Sequence, residues 1–248
     1  MDFISRFTAG LLAIALSPLL VGISIANLII QGRPIIFRQS RVGKDFKEFT
    51  IFKFRSIKNQ FNNNSFATGR DIQANGWGRF LRKTKLDELP QLINVIKGDM
   101  RFIGPRPEVP EFVDKDSFSF LNKIKPGLSG YSSVLFRNES EIWSMIESDD
   151  PYKDILNIKV ALDEYYVNKK GFLEDLKLVG ITIFSLFIPK KMGHYLLLKL
   201  LKIEDENEIR IREVISKVKI KSDIINDEKI NDEPNNRRLI ILFDVILI

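Results

Sequence analysis

The longest apolar stretch runs from Phe7 to Ile30 (FTAGLLAIALSPLLVGISIANLII), 24 residues without a charge. A straight helix of that length reaches about 36 Å, enough for a hydrocarbon core of about 30 Å. Pro18 works against a straight helix, because it removes a backbone hydrogen bond and kinks the chain. Ser17 is placed to offer its hydroxyl to a freed carbonyl. A cleaved signal peptide fits poorly, since the run is too long and no small-residue cleavage site follows. Only Arg6 precedes the run, while Arg33, Arg38, Arg41 and Lys44 follow it. The positive-inside rule puts the C-terminal side in the cytoplasm. A spanning helix would leave six residues outside, whereas a helix broken at Ser17-Pro18 and re-entering one leaflet keeps both ends cytoplasmic. Hydropathy leaves both open.

Beyond Pro34 the pattern shortens. Ile35–Gln39 and Phe49–Phe54 read as two strands around a turn that contains Gly43. Residues 59–75 are polar and Asn-rich, hence a loop. From Trp77 to Gly98 the apolar positions Leu86, Leu89, Leu92, Ile93 and Ile96 recur at helical spacing. Phe102–Pro110 (FIGPRPEVP) is an extended, rigid loop. Phe112–Ile124 and Glu139–Val167 are expected mostly helical, parted by the turn-rich Lys125–Gly130. Phe172–Ile188 carries Leu176, Val179, Ile183, Leu186 and Phe187 at near-helical spacing. Its uncharged part, Leu178–Ile188, has 11 residues and is too short to span a bilayer. It suits a core helix or one lying in a membrane interface. From Lys202 onward the chain turns polar and charged, then ends in LIILFDVILI, a strand or a membrane-touching end.

Composition narrows the chemistry. The 248 residues carry 38 basic and 32 acidic side chains, a formal charge of +6. That suits an anionic partner without choosing among phosphate, lipid head group and nucleic acid. The absence of cysteine excludes disulfides, thiolate metal sites and Cys nucleophiles. A single histidine, His194, argues against His triads and His-rich metal sites. Acid–base and nucleophilic work falls to Asp, Glu, Lys, Ser, Thr or Tyr.

The segment Leu81–Gly98 (LRKTKLDELPQLINVIKG) holds the adjacent carboxylates Asp87 and Glu88. Read alone they fit helix capping: Thr84 and Asp87 have capping-box spacing, and Pro90 belongs in a first turn. The same position suits a nucleophile kept ionised by the helix start, or a Mg²⁺ anchor beside substrate phosphates. Lys53, Arg55, Arg79, Arg82, Lys83, Lys85, Arg101 and Arg106 lie in nearby segments. Arg106 stands out because Pro105 and Pro107 fix its backbone. Phosphoryl transfer consists largely of positioning and charge neutralisation, which rigid Arg and Lys residues supply.

The blocks RPIIFRQSRVGKDFKEFTIFKFRS, GRFLRKTKLDELPQLINVIKGDMRFIGPRPEVP, IKPGLSGY and LDEYYV together resemble the bacterial sugar transferase family, the monotopic polyprenyl-phosphate phosphoglycosyltransferases. The resemblance covers about residues 2–190. It implies that Asp87 attacks the sugar-linked phosphate of a UDP-sugar, that UMP leaves, and that undecaprenyl phosphate takes the phosphosugar from the aspartyl intermediate. It implies supporting roles for Glu88 and Mg²⁺, phosphate handling by Lys53, Arg55, Arg106 and Arg137, and a further functional acid at Asp163. Ser17 and Pro18 match the break of a re-entrant helix.

The implied fold is a small, helix-rich α/β-type membrane-associated domain with a short β-hairpin. The expected divisions are an anchor over 1–32, a catalytic domain over 33–200 and a charged tail over 201–248. The expected place is the bacterial inner membrane with the site facing the cytoplasm, and nucleic acid is not an expected partner. Thr68–Ile72 and Val134–Asn138 depart from the family pattern, which leaves the sugar open. A hydrolase of nucleotide sugars or lipid diphosphates, and a basic membrane-tethered binding module, are the rival classes.

Overall fold

The computed structural model describes residues 2–57, 74–136 and 147–187. It is helix-rich, with a small antiparallel two-stranded sheet. The chain divides into two compact units, one up to Leu128 and one from Ser129.

The first unit opens with α1 (Asp2–Ala15) and α2 (Ser17–Gln31), bent by 62° at the break between them. No single described helix is long and apolar enough to cross a membrane. The bend has the cause expected from Ser17-Pro18. Pro18 sits in the first turn of α2, and the Ser17 hydroxyl donates to the Ile14 carbonyl at 2.7 Å. The pair is two-sided. Phe3, Ile4, Phe7, Leu11, Ile14, Val21, Ile25 and Ile29 are exposed. On α2 the buried positions are Ile23, Asn27 and Gln31, spaced by four on one face. Ala9 of α1 packs on Ile51, Leu92, Val95 and Met100, and Ile23 of α2 packs on Phe54 and Leu81.

Strands β1 (Ile36–Val42) and β2 (Glu48–Phe54) pair antiparallel from Ile36–Phe54 to Val42–Glu48. Asp45 and Phe46 in the connecting turn have positive φ. The free edge of β2 is closed by a side chain. The Phe52 N–H donates to Asn94 Oδ1 at 3.3 Å, and Asn94 Nδ2 donates to the Thr50 carbonyl at 2.6 Å. Asn94 has no solvent exposure, so it stands in for a third strand and fixes α4 (Leu92–Lys97) on the hairpin.

The segment Trp77–Gly98, with apolar residues at helical spacing and a helix start expected near Pro90, folds as three pieces. Helix α3 (Gly76–Thr84) ends where Lys85 turns left-handed, a 3₁₀ stretch follows over Leu86–Gln91, and α4 completes the segment. Asn75 caps α3 by accepting the Gly78 N–H at 2.8 Å. Gly78 lies hard against the end of β2: a Cβ there would fall 1.9 Å from the Ser56 carbonyl oxygen. Two short strands follow, β3 (Arg101–Ile103) and β4 (Gly127–Ser129). The expected helix over Phe112–Ile124 is replaced by turns and two short 3₁₀ pieces. Asp114 explains part of this, since its carboxylate accepts the N–H groups of Asp116 and Ser117 and diverts them from a helix.

The second unit comprises α5 (Tyr131–Leu135), α6 (Pro151–Lys169) and α7 (Phe172–Phe187). Asp150 caps α6 by accepting the Lys153 N–H at 3.1 Å. Tyr131 packs 6.0 Å from both Tyr165 and Tyr166. The hydroxyls of Tyr131 and Tyr166 donate to Glu174 and Asp175 of α7. Leu178 and Ile181 of α7 are buried, while Phe172, Leu173, Leu176, Ile183 and Phe184 are exposed.

Candidate active site

The carboxylate pair sits in the 3₁₀ stretch between α3 and α4, with Asp87 and Glu88 both buried. Three segments bring cations to Glu88. Lys53 of β2 donates to Glu88 Oε1 at 2.9 Å. Arg106 donates to the same oxygen at 3.0 Å. The Lys85 ammonium lies 3.9 Å from it. Burial alone would raise the Glu88 carboxyl, but Lys53, Arg106 and Lys85 together hold it well below the usual carboxylate range. Burial in turn pulls the Lys53 and Lys85 ammonium groups below the ordinary lysine value.

Asp87 is the opposite case. Burial, then the neighbouring charge of Glu88, push its carboxyl above the ordinary aspartate value, against the pull of Lys53, Lys85 and Arg82. Its Oδ1 is buried and has no hydrogen-bond partner among the described residues. Burial and Glu88 thus oppose the ionised form that a helix start favours. The capping-box reading is corrected. Thr84 donates backwards to the Phe80 carbonyl at 2.8 Å, and no side chain caps the 3₁₀ stretch.

Arg106 is held by the rigid loop expected from its flanking prolines and by contacts that the sequence did not announce. Arg41 donates to Glu108 Oε1 at 2.8 Å, and the Val109 N–H donates to the same oxygen at 3.0 Å. The Val42 N–H donates to the Glu108 carbonyl at 2.9 Å, which ties the loop to β1. Gly104 makes the close approach possible, since a Cβ there would fall 2.9 Å from the Gly127 backbone nitrogen.

Lys53, Glu88 and Arg106 thus meet, with Asp87 adjacent in the chain. Arg55 goes elsewhere. It is buried, and its guanidinium donates to the carbonyls of Gln31, Gly32 and Arg33 at the end of α2. Asp163 lies buried in α6 of the second unit and accepts the Ser132 hydroxyl at 2.7 Å. Arg137 lies outside the described residues, as does the tail from 201 onward. Lys85 was visible in the sequence only as one lysine in a basic run. Its place beside Glu88 comes from the left-handed turn.

Among the described residues, no three or more Asp, Glu, His or Cys side chains gather as a metal cage. Mg²⁺ commonly binds through one or two carboxylates and completes its shell with substrate phosphates. The unpartnered Asp87 Oδ1 beside a second carboxylate fits that requirement.

The arrangement gathers three cations about two unequal buried carboxylates, in a unit that also carries a bent, outwardly apolar helix pair. Residues 2–189 match the model of the bacterial sugar transferases, and the chain belongs to that family. A UDP-glucose:undecaprenyl-phosphate glucose-1-phosphate transferase of Escherichia coli is 33% identical over 190 residues, covering 73% of this chain and 39% of that protein. A UDP-N-acetylgalactosamine-undecaprenyl-phosphate N-acetylgalactosaminephosphotransferase of Aeromonas hydrophila is 34% identical over 183 residues, covering 71% of this chain and 41% of that protein. An undecaprenyl-phosphate glucose phosphotransferase of Komagataeibacter xylinus is 31% identical over 184 residues, covering 70% and 33%. The chain spans less than half the length of these relatives.

Proposed function

We propose that this protein transfers a phosphosugar from a UDP-sugar to undecaprenyl phosphate through a covalent intermediate on Asp87. The observation that carries this reading is the Asp87 carboxyl, buried and with Oδ1 unpartnered, beside a Glu88 already neutralised by cations. In the first step an Asp87 carboxylate oxygen bonds to the sugar-linked phosphorus. The bond from that phosphorus to the bridging oxygen breaks, and UMP leaves with the electron pair. In the second step an oxygen of the lipid phosphate bonds to the same phosphorus, and the Asp87 carboxylate departs. The products are UMP and a lipid diphosphosugar. Lys53 and Arg106, both anchored on Glu88, set the positive field for the diphosphate. Asp87 and Glu88 are the residues that would hold Mg²⁺, which would supply further charge neutralisation for the phosphates.

The bent pair α1–α2 serves as the anchor over residues 1–32. With its exposed apolar side in one leaflet, both helix ends return to the cytoplasmic face of the inner membrane. UDP-sugar and lipid phosphate then meet at the same surface.

The test is Asp87→Asn in the full chain, with UMP release and a labelled enzyme–phosphosugar adduct as readouts. Both should vanish while the variant stays folded. Normal turnover in Asp87→Asn would overturn the proposal, and UMP release without the lipid acceptor at the full rate would favour a hydrolase.

A further inference from the structure

Lys85 combines two features that the proposed chemistry leaves unused. Its backbone is left-handed, at φ 59° and ψ 15°. Only three described residues other than glycine have positive φ, and the other two lie in the hairpin turn. Left-handed backbone is unfavourable for a side chain such as lysine and costless for glycine, and strain of this kind gathers at functional positions. The second feature is the side chain. The ammonium stands 3.9 Å from Glu88 Oε1, within charge reach and beyond a hydrogen bond. Its side chain is about a third exposed. It makes no hydrogen bond to any described residue, so its three donors are available. Lys53 and Arg106, by contrast, both donate to Glu88. The carboxylates Asp87 and Glu88 face the cations Lys53, Lys85 and Arg106, with Arg82 also acting on Asp87, so positive charge is in excess.

We propose that Lys85 is a substrate-phosphate ligand of this site, donating to a phosphate oxygen of the nucleotide-sugar donor or of the lipid acceptor. The inference rests on the transfer reading for its substrates. It goes beyond that reading in making a turn residue, two positions before the nucleophile, part of the phosphate site. The left-handed turn is what aims the lysine at the carboxylates from the end of α3.

The experiment compares Lys85→Ala, Lys85→Gly and Lys85→Arg in the full-length membrane-reconstituted protein. Lys85→Gly relieves the backbone and should raise Tm. Both Lys85→Ala and Lys85→Gly should nevertheless lose about tenfold to a hundredfold in kcat/KM, the scale of one charge-assisted hydrogen bond. Lys85→Arg should recover part of that loss. A rise in KM for the UDP-sugar assigns the contact to the donor, and a rise for undecaprenyl phosphate alone assigns it to the acceptor. If Lys85→Gly is more stable and as active as the wild type, Lys85 only makes the turn and the proposal fails. A wild type that releases UMP from no UDP-sugar overturns the transfer reading instead. Titration with inorganic pyrophosphate then decides for Lys85: weaker binding by both short variants supports it, and unchanged binding refutes it.

Discussion

Lys53 and Arg55 stand two residues apart at the end of β2 and serve two different regions. Lys53 reaches Glu88 and joins a cluster in which ions face ions. Arg55 reaches the last carbonyls of α2 and joins a network of neutral partners. There Asn27 donates to the carbonyls of Ile35 and Arg55 at 3.1 and 3.0 Å, and Trp77 donates to Asn27 at 2.9 Å. Both regions are buried and polar. The one under α2 ties backbone to backbone and holds the helix pair on the domain. The one at Glu88 concentrates charge, with three cations about two carboxylates. Each region keeps one buried oxygen without a hydrogen-bond partner among the described residues, Gln31 Oε1 under α2 and Asp87 Oδ1 beside Glu88, so concentrated charge rather than an open bond separates them, and it is buried charge that marks a functional site.

The sharpest way to break this contrast is Glu88→Gln. It removes the anion that holds Lys53 and Arg106, and UMP release should fall about a thousandfold, or about 4 kcal/mol of barrier. A loss under tenfold would make Glu88 a bystander. Arg55→Met is the matching change in the other region. It removes a buried guanidinium and strands three carbonyls, so chemical denaturation should show about 3 kcal/mol lost. The kcat per folded molecule should stay within twofold, and a selective loss of kcat would place Arg55 in the reaction.

The two carboxylates also predict a pH profile. In the proposed mechanism Asp87 attacks as a carboxylate, and its folded-state value lies above the ordinary one. Activity should therefore fall about tenfold per pH unit once pH drops below that raised value, at a higher pH than an exposed aspartate would give. The Glu88 value is lowered, so its ion pairs persist through that range and are lost only as pH falls further, through the folded value. Initial rates and thermal unfolding over the same pH series should separate, with rate failing first. The smallest change is Trp77→Phe, which removes one partly buried hydrogen bond and should lower stability by about 1 kcal/mol without altering the rate.

Much of the scaffold was legible because it is local. The alternation over Ile35–Gln39 and Phe49–Phe54 found the hairpin, which extends to Ile36–Val42 and Glu48–Phe54. The Ser17 hydroxyl does the work expected of it at the bend. The carboxylate pair and its cations were found by motif, while their meeting depends on partners far apart in the chain: Lys53 and Glu88 are joined across 35 residues. The helix start expected near Pro90 is there as the 3₁₀ stretch Leu86–Gln91, whereas the left-handed Lys85 just before it is something that periodicity cannot register. Asn94 and Glu108 were missed because each looks like an ordinary polar residue until its backbone partners are known.

The near-contact at Gly78 also bears on how the sequence can drift. Gly76 and Gly78 sit two residues apart on α3, one with open space around its missing Cβ and the other against the Ser56 carbonyl. In a saturation library the first position should accept most side chains and the second almost none, since even alanine would push α3, and the Asp87 turn that follows it, away from the hairpin that carries Lys53.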